Sequence, residues 1–398
     1  ITISLAADQV LSVDANTSIT GTADVSLIAD QMTLASSGGD SINAGAGNTL
    51  TIRAVTDGTI LNLGANAGAD SGTTLALDST DLGALGAISG TIQFGSAAVN
   101  GNTTIDNGAA LVFTPNVSIF SDDLTFEDGL TSSGTVTLTV DGALSDAAGN
   151  DTNTDITATT LTISNVTGIG ASTTDSINLA VNKLVVTGAS GNAFFTESDG
   201  LSLGTVNVGT GNLTISSGGS ITDDTSAITA NDLNITTTGS GSAIGASGSV
   251  INTTLSGDLT AAASTGSGGI FISQTDNLTT DSVSAGSGNI ALAATGFIDE
   301  VTDNNTDKVT TTGVLTLNAG GRIGDDANSS TAQLDIQASS LEAHATAAGG
   351  IFIINTGNLT LTDVDTVNGN ISVITTGALT ATAVDANSDV TLLAQSGD

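Results

Sequence analysis

Short runs in which apolar and polar residues alternate recur along the whole chain. Leu213-Thr214-Ile215 and Leu233-Asn234-Ile235 are typical, and Gly, Asn or Asp ends each run within a few residues. Alternation of this kind between turn-forming residues predicts a short β-strand with one buried face. No window keeps an apolar period of 3.6 residues, and the abundant glycine disfavours helix. The pattern predicts an all-β fold.

The second part of the chain repeats itself with a long period. The landmark Gly211-Asn212-Leu213 returns as Gly288-Asn289-Ile290 and again as Gly369-Asn370-Ile371. The period is roughly 77 residues, and a fixed period of this kind indicates a repeat architecture and outweighs local signals. We therefore divide 134–398 into super-repeats 134–210, 211–287, 288–368 and a partial 369–398. Residues 1–133 form a first repeat family of the same composition, so we expect one continuous solenoid.

Each super-repeat divides further into units about 19 residues long, such as 211–227, 228–250, 251–269 and 270–287. A coil of this size cannot bury its own apolar face, but a stack of coils can, which is the principle of a parallel β-solenoid. This predicts about 20 coils in one rod, with four coils per super-repeat. Four recurring glycines are then expected at one corner, four rungs apart: Gly142, Gly219, Gly296 and Gly377.

Three local features complete the predicted architecture. Phe195, Phe271 and Phe352 recur at nearly equivalent positions and are expected to fill the core. The run Leu82-Gly83-Ala84-Leu85 is interpreted as a strand. The polar stretch from Ala65 to Thr74 is expected to be a loop that leaves the rod.

The charge balance narrows the classes of partner. The formal net charge is −36, and the only lysines and arginines are Arg53, Lys183, Lys308 and Arg322. Nucleic-acid binding requires several cations against phosphates, so this composition excludes it. Anionic membrane surfaces would repel the chain too, and no apolar run approaches the ~20 residues of a membrane span.

The order of several segments resembles a known family. INAGAGNTLTIRAV, TILNLGANAG, TLALDSTDLGAL and GTIQFGS, together with the later GNLTI units, are similar to the repeat region of filamentous-haemagglutinin-like giant exoproteins of Gram-negative bacteria. The resemblance implies a right-handed parallel β-helix on, or shed from, the bacterial cell surface. The chain begins in an apparent strand and stops part-way through a repeat, so we expect it to be a fragment of a longer protein.

Acidic turns are the candidate metal sites. Ca²⁺ prefers six to eight oxygen ligands, and turns supply both carboxylates and backbone carbonyls. The alternative is that Asp and Asn simply favour turn conformations. Calcium is the one candidate cofactor, and its candidate ligands are Asp223, Asp224, Asp299, Glu300, Asp325 and Asp326.

The sequence offers little for catalysis. No Trp or Tyr is present to form sugar platforms, and His344 is the only histidine. Alternation within Glu342-Ala343-His344-Ala345-Thr346 places His344 on the solvent-facing side with Glu342 and predicts no catalytic partner for it. A polysaccharide-binding or polysaccharide-active β-helix stays an alternative, and it requires a groove lined by a Phe, an Asp pair and a cation on one face.

These observations favour a non-enzymatic structural surface protein, a rod or fibre segment of a large secreted adhesin or extracellular filament. The alternatives are the polysaccharide β-helix and a calcium-dependent matrix or surface-layer component. The expected partners are further copies joined end to end or continuing repeats of the same chain, and a host or cell-surface glycan. The expected location is the extracellular space or cell surface of a Gram-negative bacterium.

Overall fold

Parallel strands stacked coil upon coil form the protein in the computed structural model, which describes residues 1–35, 42–86, 89–147, 153–264, 266–301, 306–325 and 333–395. The predicted parallel β-solenoid is confirmed, with about 18 turns and essentially no helix. The chain divides into unit 1, Ile1–Glu197, and unit 2, Ser198–Asp398. Within the described residues, no helix has the length and apolar character needed to cross a membrane.

Among its described residues, unit 1 contains twenty-one strands and one short helix. The first strands are β1 (Thr2–Ser4), β2 (Val10–Val13), β3 (Ile19–Thr20), β4 (Val25–Ile28), β5 (Gln31–Leu34), β6 (Ile42–Asn43), β7 (Thr49–Arg53), β8 (Ile60–Leu63) and β9 (Thr74–Leu77). After helix α1 (Ser79–Gly83) come β10 (Thr91–Phe94), β11 (Thr103–Ile105), β12 (Leu111–Phe113), β13 (Asn116–Ser121), β14 (Leu124–Phe126), β15 (Leu130–Ser132), β16 (Thr135–Val140), β17 (Ala143–Asp146), β18 (Ile156–Ser164), β19 (Gly168–Ile169), β20 (Ile177–Thr187) and β21 (Ala193–Glu197).

Unit 2 contains the remaining nineteen described strands. They are β22 (Leu201–Asn207), β23 (Leu213–Ser217), β24 (Ile221–Asp223), β25 (Ala227–Ala230), β26 (Leu233–Thr237), β27 (Ile251–Leu255), β28 (Asp258–Ala262), β29 (Ile270–Gln274), β30 (Leu278–Ala285), β31 (Ile290–Ala294), β32 (Ile298–Glu300), β33 (Val309–Ala319), β34 (Leu334–Ala348), β35 (Ile351–Asn355), β36 (Leu359–Asn368), β37 (Ile371–Thr375), β38 (Leu379–Ala381), β39 (Val384–Ala386) and β40 (Val390–Ala394).

The predicted alternation of buried and exposed residues is present in most of the longer strands, such as β16. In β16 the residues Val136, Leu138 and Val140 are fully buried, while the threonines between them are partly exposed. Val136 lies in register with Val117 of the preceding coil and Leu161 of the following one. Val136 therefore packs on apolar side chains above and below, and columns of this kind form most of the core. Polar residues interrupt some columns, as where Ser121 lies in register with the buried Val140.

The coils are longer than predicted, and this changes what the long period means. In unit 2, seven strand pairings lead from Leu213 to Ile371, so a coil averages roughly 23 residues, which is within the range of known solenoid repeats. Ile290 belongs to a different column of strands, which runs through Ile270 to Leu315. A super-repeat therefore spans about three and a half coils, and successive super-repeats start alternately in two different strand columns.

The predicted glycine corner is wrong for the same reason. Gly219 and Gly377 precede strands β24 and β38, and both strands lie in the column of Ile290. Gly296 precedes strand β32, which lies in the column of Leu213, so these glycines do not share one corner. The longer coil also reduces the total from the predicted 20 to about 18 turns.

Three further local predictions need correction. Leu82 and Gly83 end helix α1 rather than lie in a strand, because Asp78 caps the helix by accepting hydrogen bonds from the N–H groups of Thr80 and Asp81. Phe195 is buried as expected, but Phe271 and Phe352 occupy outward positions between the buried residues of β29 and β35. The stretch 65–73 forms the predicted loop between β8 and β9, but it packs on the stack instead of leaving it, since Ala67 is 3% exposed and Asp70 Oδ2 accepts a hydrogen bond from the N–H of Met32.

The recurring asparagines have a structural role. In each Gly-Asn-Leu/Ile landmark, the asparagine Oδ1 accepts a hydrogen bond from a backbone N–H of the next coil. The donors are Asp232 for Asn212, Val314 for Asn289 and Asp389 for Asn370, at 3.0–3.3 Å. These bonds satisfy backbone donors at the turns, which explains why the landmark recurs independently of any chemistry.

Candidate functional site

The six predicted calcium ligands do not converge on one point in the described residues. Asp223 lies in β24 and Asp299 in β32, which belong to different strand columns. Asp224 is exposed beside Asp223. Glu300 Oε2 accepts a hydrogen bond from the N–H of Asp335 at 3.1 Å. Asp326 falls outside the described residues.

Asp223 is a structural carboxylate in this arrangement. The residue is only 8% exposed, and Oδ1 accepts a hydrogen bond from the N–H of Ser226. Its Oδ2 accepts from both the backbone N–H and the Nδ2 of Asn252, the latter at 2.9 Å. The carboxylate thus connects two neighbouring coils. Calcium binding by the six acids stays a prediction.

Asp299 and Asp325 are brought together, but around a guanidinium group. Arg322 Nη2 lies 2.5 Å from Asp299 Oδ2 and 3.5 Å from Asp325 Oδ2. The Arg322 guanidinium also lies 4.5 Å from the centre of the Phe297 ring, in a cation–π contact. Burial raises the pKa of Asp299, although the N–H of Glu300 and the charge of Arg322 both act to lower it.

An open groove of about 720 Å³ runs beside this cluster on unit 2, and we call it the Arg322 groove. Its side chains come from several successive coils and include two aromatic rings, one guanidinium, one carboxylate and two amides. Their residues are Phe297, Phe352, Arg322, Asp325, Asn277 and Asn370. Asp299 pairs with Arg322 but does not line the groove, so the lining supplies the Phe and the cation that the polysaccharide alternative requires and only one Asp of the required pair.

Sequence reasoning missed the aromatic part of this groove. Phe352 lies in the continuous apolar run Ile351-Phe352-Ile353-Ile354, where alternation cannot distinguish inside from outside. The available signal is the glycine two residues earlier. A Cβ on Gly350 would lie 2.4 Å from the Phe352 ring, and a Cβ on Gly269 would lie 2.6 Å from the ring of Phe271. In both cases an outward phenyl ring covers a glycine, a known device for protecting glycines in sheets.

His344 has a partner that local sequence could not reveal. It points outward as predicted, but its side chain is only 24% exposed, and Nδ1 lies 2.7 Å from Asp365 Oδ2 on the next coil. Across the described ranges, His344, Asp363 and Asp365 are the only three His, Asp or Glu residues whose ligand atoms all lie within 4.8 Å of one another. The partner comes from the strand register between β34 and β36, which joins residues that are distant in the sequence.

A smaller pocket of about 320 Å³ in unit 1 collects three carboxylates, Asp70, Asp78 and Asp81. Asp70 Oδ2 accepts from the N–H of Met32 and Asp81 Oδ1 from the N–H of Leu34, so the two carboxylates bind donors along strand β5. Burial raises the pKa of Asp70, with a smaller contribution from the charge of Asp78. Burial also raises the pKa of Asp81, to about 6.

The raised pKa of Asp81 predicts that unit 1 loses stability as pH rises from about 4 to about 6. In this interval the folded protein retains a proton that the unfolded chain has released, since the ordinary value is 3.8. The full difference corresponds to about 3 kcal/mol. Asp81 lies at the wall of an open pocket, where solvent screens its charge, so we expect about 1 kcal/mol.

Urea unfolding of the wild type and Asp81→Asn at pH 4.5 and pH 7 measures this effect. Asparagine keeps an acceptor for the Leu34 N–H but cannot titrate, so the variant should lose about 1 kcal/mol of the pH dependence. Asp14→Asn, at an exposed position of unit 1, serves as the control. An unchanged pH dependence in Asp81→Asn would contradict the assignment.

Comparison with known proteins identifies no relatives. No family model matches the chain, and neither a curated protein nor a solved structure shows significant similarity to it.

Proposed function

We propose that this chain is a non-enzymatic structural segment of a large secreted adhesin or extracellular filament. The observation that carries the proposal is the use made of the recurring residues. Apolar positions form the core columns, and landmark asparagines bind backbone donors of the next coil. The recurring residues thus mainly stabilise the stacking of coils. A stack of coils suits a structural segment that separates other parts of a long protein.

The distribution of charge supports an exposed, solvated setting. The core columns are apolar, whereas the net charge of −36 resides in carboxylates that lie mainly on turns and outward positions. High net charge favours solubility. The proposed location, outside a Gram-negative cell or on its surface, rests further on the resemblance of the repeats to filamentous-haemagglutinin-like exoproteins.

Association through the last described strand is part of the same proposal. Val390 and Leu392 of β40 are in register with the buried Ile371 and Val373, yet they are 45% and 37% exposed. Exposed strand edges with apolar side chains favour pairing with another strand. We propose that either continuing repeats or another copy of the chain covers this edge.

Particle shape tests the structural proposal. If the coils of both units continue one stack, about 18 turns at ~4.8 Å per turn give a particle about 85 Å long. A compact globular protein of this size would instead be about 55 Å across. Negative-stain microscopy or small-angle X-ray scattering of the full chain distinguishes the two, and uniform globular particles would contradict the proposal.

A further inference from the structure

The floor of the Arg322 groove is flat because side chains are excluded from it. Gly296, Gly321, Gly349 and Gly369 lie on successive coils and all line the groove. A Cβ on Gly349 would lie 2.9 Å from the Gly321 carbonyl carbon, and a Cβ on Gly369 would lie 2.4 Å from the Gly349 oxygen. Adjacent coils are ~4.8 Å apart, so this glycine floor extends for about 14 Å.

Aromatic rings add apolar surface to this floor. Phe352 is an outward residue that is nevertheless 8% exposed, with its ring lying over Gly350. The Phe297 ring carries the Arg322 guanidinium on one face, at 4.5 Å. Because rigid rings lose little conformational freedom when a ligand binds, they are effective stacking platforms.

The polar groups of the groove are held in place and retain hydrogen-bonding capacity. The described ion pairs of Arg322 use only Nη2 of its guanidinium. Asn277 and Asn370 accept hydrogen bonds from the N–H groups of Phe297 and Asp389 through Oδ1. In the described part of the chain, their Nδ2 groups make no protein hydrogen bond, so these donors are available at the groove.

The charge of the site selects against anions. Among the described residues, two carboxylates, Asp299 and Asp325, contact the guanidinium of Arg322, so acidic groups outnumber basic ones in this cluster. The net charge of the protein, −36, acts in the same direction. Phosphate, sulfate and uronic acid groups are therefore disfavoured. A cation would have to compete with the guanidinium already bound between the carboxylates.

We propose that the Arg322 groove binds a neutral saccharide chain. Hydroxyl groups both donate and accept, so they can pair with the Asp325 carboxylate, the Arg322 guanidinium and the free amides of Asn277 and Asn370. The C–H faces of sugar rings are apolar and suit the Phe297 and Phe352 rings. The length of the glycine floor suits several linked sugar units instead of one. The inference goes beyond the structural role, because a stack of coils needs no such groove.

Calorimetric titration of the full chain with neutral oligosaccharides tests the proposal. Suitable probes are β-1,4-glucan, α-1,4-glucan, β-1,4-mannan and β-1,4-galactan fragments, with polygalacturonate and heparin fragments as acidic comparisons. We expect at least one neutral probe to bind, with an affinity that hardly changes with salt, because no net charge is neutralised on binding.

Phe352→Ala and Phe271→Ala form a matched pair of variants. Both remove an outward ring that covers a glycine, but only Phe352 lines the groove. We expect Phe352→Ala to weaken binding of the neutral probe about tenfold, and Phe271→Ala to leave it unchanged. Arg322→Gln should also weaken binding, with Arg53→Gln as its control. Circular dichroism establishes that each variant is folded.

Three results would each overturn the proposal. They are the absence of binding to every neutral probe, tighter binding of an acidic probe that weakens with salt, and equal affinities of Phe352→Ala and the wild type. None of these outcomes affects the structural proposal, which particle shape tests separately.

Discussion

Replacing Gly324 by alanine is expected to lower the free energy of unfolding of unit 2 by about 3 kcal/mol. Gly324 has φ +67°, a conformation that costs a residue with a Cβ about 1–2 kcal/mol. The new Cβ would lie 2.1 Å from the backbone oxygen of Phe352 in the next coil. Relieving this overlap requires the two coils to separate, which adds a cost of about 1–3 kcal/mol.

The matched control is Gly248→Ala. A Cβ on Gly248 has no heavy atom within 4 Å, and the residue does not have positive φ. We expect its effect to stay within about 0.5 kcal/mol. Urea unfolding followed by circular dichroism compares the two variants, and equal midpoints would contradict the role assigned to Gly324.

Gln274→Leu is expected to destabilise unit 2 by about 2–4 kcal/mol. Gln274 is 1% exposed, and its side-chain amide binds both backbone groups of Leu255. Oε1 accepts from the Leu255 N–H at 3.1 Å, and Nε2 donates to the Leu255 oxygen at 2.9 Å. The side-chain amide thus makes the two hydrogen bonds that the backbone of a neighbouring strand would otherwise make. Leucine has a similar size but leaves two buried backbone groups unpaired, each costing about 1–3 kcal/mol.

Hydrogen exchange locates this effect more directly than global unfolding does. Coils in a repeat stack can open separately, so the amide proton of Leu255 should exchange much faster in Gln274→Leu than in the wild type. Gln93→Leu is the control, because Gln93 is a partly exposed glutamine that donates one hydrogen bond, to Gly95. Unchanged exchange at Leu255 would show that the Gln274 amide is dispensable.

The strand positions could largely be predicted from the sequence, but the coil length could not. Alternation fixes which residues of β16 or β23 are buried because it is a local property of the pleated strand. Coil length depends on the residues in the turns, and these vary. The coil from Leu213 to Leu233 is several residues shorter than the next one, which runs from Leu233 to Leu259. The sequence therefore predicts four coils per super-repeat, whereas the structure has about three and a half.

The sequence contains one periodic signal for the irregular turns. Gly95, Gly170, Gly245 and Gly324 all have positive φ, and each follows an apolar residue, at nearly equal spacings along the chain. Short bridges close the turns that follow the first three, such as Ser96 with Val99 and Ser172 with Asp175. This periodic apolar-Gly pair marks where the chain leaves the strand column, and Gly324 directly precedes Asp325 of the groove.

The fold class, the buried columns and the acidic character of the surface follow from the amino-acid sequence alone, because composition and alternation act locally on the strands. Which distant residues meet depends on the three-dimensional stacking of the coils. Asp299 and Arg322 are 23 positions apart, as neighbours on adjacent coils must be, and Asp365 reaches His344 by the same route. Such contacts depend on the sum of all turn lengths within a coil. The Arg322 groove is therefore a property of the stack, although each residue that lines it is visible in the sequence.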